Sequence, residues 1–144
     1  MPMLPPGGKP FKGAVLRETG DQSIPDTTIT ILEWDGVDFD TDGFFDSEEP
    51  TRITIPAGIK KVRLHFYART GAGGGQLWAY ITKNGESGSG GRYGWLTSSG
   101  DNSVAISEIV EVNAGDYFEA VIRIDGGPEN LFEERSHFSV EVIE

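Results

Sequence analysis

The sequence predicts an all-β fold, an antiparallel jelly-roll sandwich of about eight to ten strands preceded by a short extended N-terminal arm. Three observations lead there. Apolar residues recur at every second position in segment after segment, as the two faces of a half-buried strand require. The segments are bounded by Gly, Asn, Asp or Pro, and Gly alone supplies 20 of the 144 residues. No stretch has the periodicity of an amphipathic helix of useful length. A chain of this size makes one domain, and a domain of about 150 residues buries roughly two-thirds of its unfolded surface, enough for a core without staples. The sequence contains no Cys, which removes disulfide frameworks, zinc knuckles and thiol nucleophiles from consideration.

Residues 1–10 are the arm. Pro2, Pro5, Pro6 and Pro10, with Gly7 and Gly8, exclude a helix or a central strand. The arm is therefore either a disordered leader or a strap on a neighbouring molecule, with Pro5, Pro6 and Lys9 as its gripping residues. Residues 11–144 are the single domain. Phe11 to Glu18 is the first strand, followed by a turn at Gly20-Asp21 and a kink at Pro25. Thr28 to Trp34 is strongly β-prone, with Ile29 and Ile31 on one face and Thr28, Thr30, Leu32 and Trp34 on the other. Arg52 to Ile55 is short and ends at the Pro56-Ala57-Gly58 turn. In Lys61 to Ala68, Val62, Leu64 and Phe66 alternate with Arg63, His65 and Tyr67, so one face is core and the other meets water or a partner.

Gln76 to Lys83 alternates Leu77, Ala79 and Ile81 with Trp78, Tyr80 and Thr82. Asn84-Gly85 closes it, because both residues tolerate positive φ. Arg92 to Leu96 is a short aromatic strand. Asn102 to Val112 and Asp116 to Ile124 are expected to pair across Asn113-Ala114-Gly115. Ser136 to Ile143 ends the domain with Phe138, Val140 and Val142 in phase.

Charge is the next constraint. Twelve Lys and Arg against 23 Asp and Glu give a net charge of −11, which repels phosphate backbones and anionic headgroups and argues against nucleic-acid and membrane partners. The excess is local. From Glu18 to Thr51 there are eleven acids and no Lys or Arg, and the rest of the chain is neutral. No apolar run approaches the ~20 residues of a membrane span, and MPMLPPGGKPFKG lacks the apolar core of a signal peptide.

Few residues suggest chemistry. His65 and His137 have no sequence-local His, Cys or carboxylate partner at ligand or acid-base spacing, so each reads as a strand residue facing solvent or an interface. Gly85-Glu86-Ser87-Gly88-Ser89 lacks the final Gly of a nucleophile elbow. The glycine loops from Gly71 and Gly88 match no phosphate-binding fingerprint. The expectation is a protein that is not an enzyme and requires no cofactor.

Two constellations stand out. Asp38, Asp40, Asp42, Gly43, Asp46 and Glu49 fit D-x-D-x-D-G-x5-E, in which oxygen donors two residues apart converge on Ca²⁺ around a glycine turn. Pro50 disfavours helix at Glu49 and Thr51 to Ile55 continues as strand, so a paired-helix sensor is excluded. The choice is between a bare Ca²⁺ loop on a β scaffold and an acidic connection anchored by Phe39, Phe44 and Phe45. The second constellation is Trp78, Tyr80, Tyr93 and Trp95, either a stacking platform for sugar rings, a buried sandwich face or an oligomer seam.

Taken in order, TITILEWD, FDTDGF, IPAGIKKVRLHF, ITKNG, NAGDYFEAVI and HFSVEVIE resemble the globular-head jelly roll shared by complement-type and tumour necrosis factor-like proteins. The matching positions are Phe39-Asp40, Pro56-Ala57-Gly58, Lys83-Asn84-Gly85, Gly115-Asp116 and Phe138. The wording at Ser23 to Pro25, Phe39 to Phe44, Pro50 to Gly58 and Gly115 to Glu119 is also similar to small tailed-bacteriophage structural proteins. This resemblance implies a homotrimer around a three-fold axis, with Tyr117 and Phe118 in the seam. It further implies the major capsid protein or other virion proteins as partners, and a virion location after synthesis in the host cytoplasm. The lack of a signal sequence and a collagen-like stalk separates the chain from secreted animal members. Two virion roles compete: a capsid decoration or cement protein, for which a compact knob and the arm suffice, and a tail-fibre or spike tip that binds a receptor or glycan.

Overall fold

The computed structural model describes residues 10–20, 22–25, 27–69, 76–86, 92–99, 103–125, 130–132 and 136–144, with 92–99 and 130–132 described by their backbone. The residues of the arm named above, Pro5, Pro6 and Lys9, lie outside this set. Twelve strands run through the described residues: β1 (Gly13–Arg17), β2 (Gln22–Ile24), β3 (Thr30–Ile31), β4 (Gly36–Asp40), β5 (Arg52–Thr54), β6 (Lys61–Arg69), β7 (Gln76–Lys83), β8 (Arg92–Ser99), β9 (Ser103–Glu111), β10 (Tyr117–Asp125), β11 (Asn130–Phe132) and β12 (His137–Val142).

Ten of these strands form two antiparallel sheets. The first has the order β4-β1-β12-β6-β9; the second runs β3-β10-β7-β8, with β5 also on β10, while β2 and β11 pair separately. The all-β jelly roll expected from the alternating pattern is therefore what forms. Among the described residues no helix is long and apolar enough to cross a membrane.

The period-two pattern decides which faces meet. Val62, Leu64, Phe66 and Ala68 of β6 are fully buried, and across the sandwich Phe118, Ala120, Ile122 and Ile124 of β10 face the same core. Trp34 packs on Phe66 and Phe138 with ring centroids 6.3 and 5.9 Å apart. β1 and β12, the first and last long strands, lie side by side with Gly13 opposite Glu141. Gly13 is required there, because a Cβ would run into the Val140 carbonyl.

Three expectations are corrected. β9 and β10 do not pair with each other: β9 pairs with β6 and β10 with β7, so the Asn113-Ala114-Gly115 turn carries the chain from one sheet to the other. The turn's own bonds hold it across the gap, with the Val112 N–H on the Lys60 carbonyl and the Gly115 N–H on the Ile55 carbonyl. The strand expected over Thr28 to Trp34 is reduced to β3, because the Trp34 N–H leaves the sheet for the Pro50 carbonyl. Its phase holds, with Leu32 and Trp34 buried and Ile29 and Ile31 exposed. Finally, part of the acidic connection is itself a strand, β4, laid along the edge of β1 with a bulge between Val15 and Leu16.

Candidate functional site

The outward face of the first sheet gathers side chains that no local spacing connects. Cross-strand register places Arg17, His137, Tyr67 and Ala105 in one row and Val15, Ser139, His65 and Ser107 in the next. The His65 and His137 rings stack at 5.1 Å, and Tyr67 stacks on His137 at 5.6 Å. Arg17 Nη1 lies 3.3 Å from His137 Nδ1, and Arg17 Nε donates to Asp38 at 2.7 Å. A guanidinium can only donate, so His137 Nδ1 accepts and its proton sits on Nε2. The centre of this face is a half-buried aromatic patch ringed by Val15, Ala105, Ser107 and Ser139, with no carboxylate among them. Beside it, Arg63 and Glu141 pair at 3.5 Å and Lys61 and Glu144 at 2.9 Å.

The seam residues named from the resemblance fall elsewhere. Phe118 is 0% exposed within the single chain and belongs to its core, so it cannot meet another subunit. The alternation of β10 turns it inward and Tyr117 outward, and the Arg52 guanidinium covers the Tyr117 ring at 3.9 Å. The two glycine turns of the resemblance are joined instead. Asn84, at φ 55°, accepts the Tyr117 N–H at 2.9 Å through Oδ1 and donates to Asp116 at 3.1 Å. Burial pushes the Asp116 carboxyl up, but the Asn113 N–H, Asn84 and Lys83 outweigh it and hold the group below its ordinary range.

The aromatic platform is only partly available. Tyr80 is 3% exposed and closed to any sugar ring. Trp78 is half-buried, with the Arg123 guanidinium 5.0 Å from its centroid. The side chains of Tyr93 and Trp95 lie outside the described residues.

The acids of the D-x-D-x-D-G loop do not converge as they stand. Asp38 holds Arg17, Asp42 lies 3.9 Å from Lys12, and Glu49 lies 3.5 Å from Arg52. Asp46 accepts the Glu48 N–H. Asp40 does the structural work: its two oxygens accept the N–H groups of Gly43, Phe44 and Phe45 at 2.9 to 3.0 Å. With Gly43 at φ 82° this Asp-capped turn drives Phe44 into the core, and Phe45 packs against it. Phe39 does not anchor there; it stays exposed and packs edge-on against Phe11 at 5.2 Å. Among the described residues, no three His, Cys, Asp or Glu side chains are grouped so as to hold a metal ion.

Sequence reasoning passed over Glu18. In β1 Ala14 and Leu16 point inward, and Glu18 falls in the same phase just past the strand end, 8% exposed. Its Oε1 is buried without a hydrogen-bond partner. Burial, reinforced by the Asp35 and Glu33 charges, pushes its carboxyl up to about 7. Asp35 behaves oppositely, because the Thr19 hydroxyl and N–H donate to it at 2.6 and 2.7 Å and hold it below its ordinary range. A carboxylate in the inward phase of a strand pattern was the legible signal.

With this geometry in place, known proteins can be compared. A search by sequence finds no matching family model and no matching curated protein. Among solved structures, murine APRIL at pH 8.0 is similar with a TM-score of 0.70 and 10% identity, over 93% of this chain and 100% of that one. The globular domain of zebrafish complement 1qA gives 0.63 and 13%, over 94% and 98%. The fold is the jelly roll of tumour necrosis factor and complement C1q heads. Eiger TNF from S. frugiperda belongs to the same set, with a TM-score of 0.52 and 13% identity over 94% of each chain. Identities this low carry the architecture and nothing finer.

Proposed function

We propose that this chain acts by assembly and not by catalysis: a homotrimer that decorates a tailed-bacteriophage capsid and stabilises the head. The observation that carries the assembly reading is the His65–Tyr67–His137 patch. Stacked rings on a flat sheet, ringed by Val, Ala and Ser, gain from burial against a second copy. The residues ringing the patch carry no carboxylate, and Asp38, which reaches its edge from the acidic segment, is paired with Arg17, so the charge of −11 is offset there. This moves the proposed seam from Tyr117 and Phe118 to the outward face of the first sheet.

The virion assignment rests on the sequence resemblance at Ser23 to Pro25, Phe39 to Phe44, Pro50 to Gly58 and Gly115 to Glu119. A labelled copy imaged on phage particles tests it, because shell, tail and fibre positions are distinguishable at low resolution. The decoration reading expects label over the capsid shell, and loss of capsid binding when residues 1–10 are removed. Label confined to fibre tips contradicts it. The half-buried Trp78 favours one second reading, a receptor- or glycan-binding tip. That reading expects polysaccharide or host-cell binding that Trp78→Ala weakens.

A further inference from the structure

One small cavity of this chain has an acidic lining with no Lys or Arg in it. It has a volume of about 220 Å³ and is lined by Glu18, Gly20, Gln22, Glu33 and Asp35, between the end of β1 and the segment leading into β4. Three carboxylates therefore border one small space. No Lys or Arg occurs from Glu18 to Thr51, and Arg17, the nearest base in sequence, is held by Asp38 and His137. Glu18 is the telling member, since it is more than nine-tenths buried and its Oε1 has no hydrogen-bond partner. A buried carboxylate oxygen left without a donor is costly unless something positive reaches it.

We propose that this cavity binds a hard divalent cation, for which Ca²⁺ is the probe, through the carboxylates of Glu18, Glu33 and Asp35. All three donor groups offer oxygen, which suits Ca²⁺ and not a soft metal. Asp35 already accepts from Thr19 through both oxygens, but each oxygen keeps a second lone pair, so Thr19 orients the ligand without using it up. Gln22 Oε1, which accepts the Glu33 N–H at 3.5 Å, ties the two walls of the cavity together. As they stand, the three carboxylates are not grouped closely enough to hold an ion, so binding has to draw them together. Glu33, on the exposed side, is the ligand that swings inward. The volume leaves room for the ion with several waters, each taking about 30 Å³.

The test uses full-length, chelator-treated protein at mildly alkaline pH. Saturating Ca²⁺ is expected to raise the Tm by about 5 °C or more, while NaCl at matched ionic strength does not. Glu18→Gln removes that rise. Glu33→Gln, on the exposed rim, melts like the parent in chelator yet binds Ca²⁺ at least about tenfold more weakly by calorimetry. Asp46→Asn, in the separate D-x-D-x-D-G loop, keeps the parental response. The proposal is overturned if Ca²⁺ moves the Tm no further than NaCl does. It is equally overturned if Glu18→Gln keeps the rise, or if Asp46→Asn abolishes it while Glu33→Gln does not. Should Glu18→Gln fail to fold, the calorimetry of Glu33→Gln decides.

Discussion

The outward faces of the two sheets are built from similar residue types and finished differently. On the second sheet, Glu119 is buried against Thr51 and Arg52, and Arg52 also covers Tyr117. Arg123 bonds Asp125 at 3.0 and 3.3 Å and lies near Trp78, while Tyr80 and Val121 are buried. Among the described side chains, the charges and rings named on that face are satisfied within the chain. On the first sheet the rings of His65, Tyr67 and His137 stack side by side and stay only half-buried, and Ile109 stands 54% exposed further along β9. On the assembly reading proposed above, the difference separates a face that the chain packs by itself from one that a second copy completes.

The largest effect should come from breaking the unfinished face. Tyr67→Glu places a charge in the centre of the patch and, if that patch is the seam, reduces the trimer to single chains in light scattering, whereas Trp78→Ala on the finished face leaves the mass unchanged. A smaller effect follows from undoing the finished face. Arg52→Ala strips the cation from buried Glu119 and from the Tyr117 ring, and should cost about 3 kcal/mol in denaturant unfolding, at the low end for such pairs because Arg52 is partly exposed.

The smallest effect concerns Glu18. Its carboxyl is raised from 4.5 to about 7 in the fold, so the folded state holds the proton more tightly than the unfolded one. Stability linked to this group is fully present below pH 4.5 and is lost as pH rises through about 7. Glu18→Gln, measured in chelator, should therefore stabilise the protein by roughly 1–2 kcal/mol above that range, a value reduced for solvent screening, and by nothing at acid pH.

Much of the architecture was legible because burial follows period two. The inward Val62, Leu64 and Phe66, the extent of β7 from Gln76 to Lys83, and the positive φ of Asn84 and Gly85 all follow from local pattern. Pairing is another matter. That β9 lies beside β6 and not β10 depends on how two faces share one core, and adjacency in sequence suggested the wrong neighbour. For the same reason His65 and His137 read as unrelated residues, since only the β6–β12 register brings them together. The FDTDGF segment was open to two readings. Its spacing satisfies a metal-loop pattern, yet Asp40 spends its oxygens on three backbone N–H groups, a use the spacing allows equally well.

The central claim is that the open face of the first sheet is covered by further copies of the chain, and the mass of the purified protein in solution tests it most directly. At micromolar concentration and neutral pH, light scattering should return three times the 15.6 kDa of one chain. A mass of one chain, unchanged on concentration, contradicts the account.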